Sequence, residues 1–408
     1  DAIVTRDVYT FGGPFGLREV TVTGSVDIRP FRTFELLITD SEGERPLPQA
    51  RLRLEAHVYP FSLELQTDQN GKVEINRLPD QYSYRVYVLF RTPVTEEEIP
   101  VLVADLDART LAASEVIRTE LYTVRVLVSD LKGRPVAGAD VTLRPIEVIY
   151  ARSSVPVSAK TSEEGIAEFP MISRGNYSVS VERLRVEVFS THLYVGYHPT
   201  YGFREPRVNA VARLDDLRVS VVDGKGRPLS AEVLVSMKGT GETLAAISAS
   251  DGSIELMQIP VTDYVIRVTV GTSLGGYVTV EVLARPGDDG TVTVRVPVYR
   301  VRLEVLAADG RPLPNGTVVI EGAEYPMKEG SLELVHVREG VYRLSVVFRG
   351  HEVFRGTLAV SDDVDGRIEA QVYGLRLRFL DAEGNPVEVS WRLRGEGLEA
   401  SGSGGSAR

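Results

Sequence analysis

One short pattern returns five times along this chain, and it restricts the possible folds more than any other feature. "DSEGERPLPQARLRL" opens at Asp40, "DLKGRPVAGADVTL" at Asp130, "DGKGRPLSAEVLV" at Asp223, "ADGRPLPNGTVVI" at Ala308 and "DAEGNPVEVSWRL" at Asp381. The shared prolines, Pro46, Pro135, Pro228, Pro312 and Pro386, lie about 75 to 95 residues apart, too far for a solenoid repeat and right for a small domain. In each copy an alternating apolar run leads into the turn and another leads out, which is the period of a strand. Aspartate suits such a turn because its side chain can bond the backbone two residues on, and glycine because it accepts positive φ.

A second anchor follows at a fixed interval. Gly71, Gly165, Gly252 and Gly330 each precede a strand carrying Glu three residues later, at Glu74, Glu168, Glu255 and Glu333. A tyrosine then leads a further strand, at Tyr177, Tyr264 and Tyr342, with Tyr82 as the nearest counterpart in the first copy. By alternation the repeated Glu faces outward, as surface charge able to pair with Arg125, Arg218, Arg302 or Arg376 on a neighbouring strand. No window shows a persuasive helical period. The expected unit is an antiparallel β-sandwich large enough to fold by itself.

The pattern D-x-x-G-x-P-(L/V), then T-(D/S)-x-x-G, then G-x-Y, clearest over Val124–Val181, resembles the carboxypeptidase regulatory-like and transthyretin-like β-sandwiches of prokaryotic, including archaeal, cell-surface proteins. The collagen-adhesin B-type domains are similar too. The resemblance implies an all-β fold of tandem seven-stranded Ig-like sandwiches arranged as an elongated rod. It is specific for fold and weak for function, since such modules serve as spacers, anchors and binders alike. The expected divisions are an N-terminal strand segment at 1–30, sandwiches at 31–121, 122–214, 215–298 and 299–372, and a partial fifth at 373–408. Tyr122, Tyr299 and Tyr373 share Tyr-x-(Val/Leu)-Arg at three junctions and are expected to pack between neighbouring units. No Gly/Ser linker separates the units, which restricts hinge motion.

Composition narrows the function. The 408 residues carry a net charge of −11, spread along the chain, which argues against nucleic acid as a partner. Cysteine is absent, so disulfides and thiolate metal sites are excluded. No apolar run approaches the roughly 20 residues of a membrane-spanning helix. Arginine far outnumbers lysine and there are six Asn and six Gln, a pattern that a thermophile or a GC-rich genome would equally produce.

The two ends raise a specific expectation. The fifth copy shows two strands and then "SGSGGSAR", without the Gly–Glu strand or the Tyr strand, so its core is expected to be half open. Residues 1–30 hold strand-like pieces ahead of the first full copy. Either the sequence is part of a longer protein, or the N-terminal strands of one subunit complete the C-terminal sandwich of the next, head to tail.

Signals for chemistry are weak. Gly271–Gly275 matches G-x-S-x-G, but the required helix is missing and a Gly-rich hairpin turn explains it. His336-Val-Arg-Glu339 matches H-x-x-E without a third ligand. The five histidines give no metal cluster. "DDVDG" (Asp362, Asp363, Asp365) and "PGDDG" (Asp288, Asp289) lack the spacing of a calcium loop and read as hairpin tips with solvated charge. The resemblance to adhesin B-type domains implies a Lys–Asn crosslink with Lys in the first strand; these strands carry Arg instead, so none is expected. Nor does the chain carry the paired His and Arg, or the Tyr-Arg-Gly-Ser ending, of the transthyretin-like hydrolases.

Two features stand higher. "THLYVGYHPTYGF" gathers His192, Tyr194, Tyr197, His198, Tyr201 and Phe203 in what reads as a loop insertion, suited to subunit, domain or glycan contact. Asn176-Tyr-Ser and Asn315-Gly-Thr are glycosylation sequons in expected turns. The chain is therefore expected to be a non-enzymatic, extracellular structural protein without a cofactor, a stalk, surface-layer or filament subunit that associates with itself. The alternatives are an adhesin or carbohydrate-binding surface protein, and a non-catalytic region of a larger secreted enzyme.

Overall fold

Alternating apolar residues become strands almost throughout. The computed structural model describes residues 10–11, 18–19, 31–58, 60–80, 82–198, 202–203, 206–287, 291–395, 398–404 and 406–407. The chain divides into two compact units, Asp1–Arg213 and Leu214–Arg408. Each contains two complete pairs of sheets, so the fold is all-β and built of tandem Ig-like sandwiches.

The first sandwich has strands Phe31–Thr39, Arg51–Ala56, Ser62–Gln66, Lys72–Pro79, Ser83–Phe90, Ile99–Asp107 and Val116–Arg118. The second has Leu121–Ser129, Asp140–Val148, Val157–Lys160, Ile166–Ser173, Gly175–Arg183, Val186–Val195 and Arg207–Val211. In the second unit come Leu214–Val222, Ala231–Met237, Thr243–Ala249, Ser253–Pro260, Tyr264–Gly271, Tyr277–Ala284 and Thr291–Arg295, then Val298–Leu306, Thr317–Ile320, Ala323–Pro326, Ser331–Arg338, Gly340–Phe348, His351–Val360 and Val364–Glu369. Counting strands one to seven within each sandwich, the order is always four-one-seven in the smaller sheet and three-two-five-six in the larger.

Inward-facing side chains of both sheets make each core. In the fourth sandwich Val301, Leu303, Leu332, Leu334 and Ile368 of one sheet meet Val318, Ile320, Leu344, Val346 and Leu358 of the other. Strand one pairs antiparallel with strand four but parallel with strand seven. The purely antiparallel sandwich expected from the sequence is thus corrected: strand seven arrives from across the larger sheet and runs alongside strand one. A six-residue helix, Ala108–Ala113, also interrupts the all-strand expectation, capped by the Asp107 carboxylate, which accepts from the Arg109 and Thr110 amides.

Every repeated residue has a backbone task. Asp130, Asp223 and Asp381 accept N–H bonds from the residues two and four on, Asp130 from Lys132 at 2.9 Å and Arg134 at 2.8 Å, while Asp40 accepts from Gly43, Glu44 and Arg45 in a longer turn. The second-anchor glycine has positive φ in all four copies, and at Gly71 an added Cβ would lie 2.7 Å from the Pro46 Cβ and 2.9 Å from the Ile38 carbonyl. The two sequence anchors therefore touch, and glycine is needed for that approach. The strand-five tyrosine turns its hydroxyl back to the end of strand four: Tyr84 to Pro79 O at 2.8 Å, Tyr177 to Ser173 O at 2.7 Å, Tyr264 to Pro260 O at 2.9 Å and Tyr342 to Arg338 O at 2.6 Å. In the first copy this residue is Tyr84, fully buried, and not Tyr82.

Six residues after each anchor glycine the chain makes a β-bulge. Arg77, Met171, Gln258 and His336 all take positive φ there, between 51° and 60°, opposite register shifts in strand one. The Gln258 amide donates to Asp216 Oδ1 across this bulge at 3.1 Å.

The C-terminal copy holds more strands than the sequence suggests. Leu377–Arg378 pairs with Ser406–Ala407, and Val389–Gly395 with Leu398–Gly404. These are the pairings of strands one with four and two with three in the complete sandwiches, so the glycine- and serine-rich tail forms strands three and four. Small side chains give these strands no apolar alternation by which to show in the sequence. Of residues 1–30, the described part is a pairing of Thr10–Phe11 with Arg18–Glu19; the rest of that segment lies outside the described residues.

Candidate functional site

Within each compact unit, polar and aromatic side chains join one sandwich to the next. In the first unit the loop between strands five and six of the first sandwich reaches the second. Val155 N donates to Val94 O at 3.0 Å, Arg152 N to Glu97 Oε1 at 2.7 Å and Ser153 Oγ to Glu96 Oε2 at 2.6 Å. The Ser41 amide also donates to Leu121 O at 2.8 Å. Tyr122 is buried beside this seam, and burial pushes its hydroxyl up to about 12, with the Glu120 charge adding to the shift.

In the second unit the corresponding hairpin tip is the G-x-S-x-G stretch. Ser273 Oγ donates to Val335 O, Tyr325 Oη donates to Ser273 O at 3.1 Å, and Leu274 packs against the core of the fourth sandwich. The serine is thus tied to a main-chain carbonyl in a turn between strands. On the other side of the seam, Gly224 donates its N–H to Val298 O at 3.1 Å, and any Cβ there would overlap the Tyr299 ring.

An ionic clasp closes this seam. Arg227 Nε lies 2.6 Å from Asp223 Oδ2 and its Nη1 2.9 Å from Asp363 Oδ2; Lys225 Nζ lies 2.7 Å from Asp362 Oδ1. Asp363 also accepts from the Arg300 amide at 2.9 Å. Burial works to raise Asp363, but the Arg300 N–H and the Arg227 guanidinium outweigh it and hold the carboxyl below its ordinary value. The Lys225 ammonium does the same for Asp362. The sequence reading of Asp362 and Asp363 as solvated hairpin charge is corrected: both are ion-paired to the preceding sandwich. Asp288 and Asp289 lie outside the described residues.

The three junction tyrosines go to three environments. Tyr122 is 7% exposed, Tyr299 sits against Gly224, and Tyr373 is 78% exposed. A shared motif therefore did not set a shared contact.

The aromatic stretch is only partly an insertion. His192 and Tyr194 belong to strand six, and Val195 ends it. Tyr194 receives a 3.0 Å bond from Arg174 Nε and donates to Tyr197 O at 3.3 Å; Arg174 in turn faces Glu120 at 3.7 Å. Tyr197 is 54% exposed and pairs by backbone with Phe203, as His198 does with Gly202. The side chains of His198 and Phe203, and all of Tyr201, lie outside the described residues. Of the sequons, Asn315 lies in a turn, whereas Asn176 is on strand five, where its amide donates to Glu147 Oε2 at 3.5 Å. Tyr177, next in the chain, is what draws this position into the strand.

Other polar groups are absorbed locally. Arg125 pairs with Glu168 at 2.9 Å and Arg218 with Glu255 at 3.1 Å across strands one and four, while Lys72 pairs with Glu35 in the first sandwich. His336 is the left-handed bulge residue. A concavity of about 810 Å³ on the fourth sandwich is rimmed by Glu321, Arg343, Glu352 and Arg355; these pair with one another. Among the described residues no group of three or more His, Asp or Glu could hold a metal ion, and no helix is long and apolar enough to cross a membrane.

No family model and no curated protein matches the chain. Solved structures match weakly. The Bacillus anthracis TIE protein is 14% identical with a TM-score of 0.24, covering 86% of this chain and 75% of that one. A streptococcal ancillary pilin is 13% identical with a TM-score of 0.29, covering 65% and 98%. GBS52, the minor pilin of Streptococcus agalactiae, is 14% identical with a TM-score of 0.28, covering 43% and 94%. Likeness of this order fixes neither family nor function, and the fold rests on the sheets themselves.

Proposed function

We propose that this chain is a non-enzymatic structural protein of the cell surface, a stalk, surface-layer or filament subunit, whose domains are 31–121, 122–214, 215–298 and 299–372. The observation that carries this reading is that most of the repeated polar residues are committed to a turn, a corner or a cross-strand pair. Ser273 and Asp363, outside the repeated pattern, are each tied to the neighbouring sandwich. Repetition in a chain without a shared reactive cluster is what a spacer or polymer requires. On motif alone, the repeats are grouped with the carboxypeptidase regulatory-like sandwiches of prokaryotic surface proteins, and Asn176 and Asn315, both exposed, are the proposed glycosylation sites.

Assembly by strand complementation is the finer part of this proposal. The C-terminal copy pairs strands one with four and two with three; in the complete sandwiches strand five flanks two and strand seven flanks one. Strands from residues 1–30 of a second copy would fill those positions. Sedimentation of the full chain at rising concentration, with and without residues 1–30, tests it. Concentration-dependent polymers that vanish on deletion are expected. A monomer at every concentration, or polymers indifferent to the deletion, would overturn complementation.

A further inference from the structure

In every complete sandwich the chain enters along strand one and leaves along strand seven, and these two strands are parallel, hydrogen-bonded neighbours. Parallel pairing places the point of entry and the point of exit at opposite ends of one ladder. Tension along the chain then slides the two strands past each other, so the ladder bonds share the load instead of opening one at a time. Strands two to six hang outside this load path. Only two residues separate strand seven of one sandwich from strand one of the next, at 119–120, 212–213 and 296–297, so no compliant linker intervenes.

The ladders differ in length. The first sandwich pairs three residues, Leu37 to Thr39 with Val116 to Arg118. The second and third pair five each, Arg125 to Ser129 with Arg207 to Val211 and Arg218 to Val222 with Thr291 to Arg295. The fourth pairs six, Val301 to Leu306 with Val364 to Glu369. Each ladder is extended by a backbone bond just past strand seven: Thr119 N to Thr39 O at 3.0 Å, Ala212 N to Ser129 O at 2.7 Å, Val296 N to Val222 O at 2.9 Å and Ala370 N to Leu306 O at 2.8 Å; in the first, Thr119 Oγ1 also donates to Thr39 O at 2.9 Å. Buried neighbours such as Val301, Leu303, Val305 and Ile368 keep water from competing for these bonds.

We propose that the chain bears axial tension, with the strand-one/strand-seven ladder of each sandwich as a shear clamp whose strength rises with ladder length. This goes beyond a surface location or an assembly state, because the clamp lies inside single sandwiches; its failure and the failure of complementation are separate outcomes.

Single-molecule force spectroscopy of the full chain, held by its two ends, tests the proposal. The chain has no cysteine, so introduced thiols give unique handles. The sandwich at 298–369 has the shortest span and hence the smallest length release, and that release should accompany the last rupture; 31–118 should yield first. A second attachment uses the exposed positions of the R302C and S361C substitutions, which load the fourth ladder at one end only. There its rupture force should fall at least about twofold, since forced unfolding follows the barrier along the pulled direction. Equal forces in both attachments, or a first sandwich that outlasts the fourth, would overturn the proposal.

Discussion

The corner tyrosine offers the same hydrogen bond at several depths, and so a graded test of what holds each sandwich. Substituting Tyr by Phe keeps the ring and removes only the hydroxyl. At Tyr177 the bond to Ser173 O is 2.7 Å long and buried. Losing it removes about 1 kcal/mol of net bonding and leaves a desolvated carbonyl, for a total of about 2 kcal/mol or a roughly thirtyfold rise in local opening. At Tyr264 the cost should be smaller, because Pro260 O still accepts the Thr262 amide at 2.9 Å. At Tyr342 the bond to Arg338 O is exposed and water replaces it, so about 0.5 kcal/mol is expected. The sandwiches need not unfold together, so a single melting curve is the wrong readout. Amide hydrogen exchange of strand-five peptides in the full chain resolves each copy. Equal costs at Tyr177 and Tyr342 would refute the reasoning. Burial also raises the Tyr84 hydroxyl from 10.0 to about 12. Its folded form holds the proton more tightly, so its contribution is complete below about pH 10 and is lost as the pH rises towards about 12.

The remaining expectations concern backbone and seam. Arg77 is exposed with φ at 58°, so Arg77→Gly should raise the stability of the first sandwich by about 0.5 kcal/mol, the relief of left-handed strain less the added chain entropy; faster amide exchange in the core strands of that sandwich would contradict this. The clasp carboxylates Asp223, Asp362 and Asp363 are depressed, so their contribution is intact above the ordinary value of 3.8 and lost as the pH falls below it. Exchange at 223–227 and 361–364 should rise in acid, and Asp363→Asn should produce part of that rise at neutral pH. Gly224→Ala should loosen the seam between the third and fourth sandwiches, and Tyr299→Ala should restore it in a double-mutant cycle; additive losses would show that the ring is not the obstacle.

Much of this fold could be read from the chain because the repeated residues act locally. Asp130, Gly133 and Gly165 serve turns within a few residues of themselves, so their spacing alone marked the strands. What stayed hidden depends on residues far apart. Nothing near Val364 announces that it will run parallel to Val301. Arg227 and Asp363 meet across 136 positions, and neither residue type distinguishes a clasp from surface charge. One signal does stand in the sequence: Gly224 occupies the place of Leu131 in the preceding copy, and a glycine in excess of the turn's needs marks a close approach, here of Tyr299. The interval from Gly71 points to Tyr82, but the turn of the first copy is one residue longer and the corner falls to Tyr84. The Ser/Gly-rich stretch at the end of the fifth copy shows no strand in the sequence because serine and glycine carry no apolar alternation, yet backbone pairing continues the sheet at Leu398–Gly404.

The structural role itself is tested most directly on native material. Electron microscopy of intact cells and shed surface fractions, labelled with antibodies against residues 214–369, should show label at regular intervals along filaments or across a lattice. Label confined to isolated particles, or to the cell interior, would contradict it.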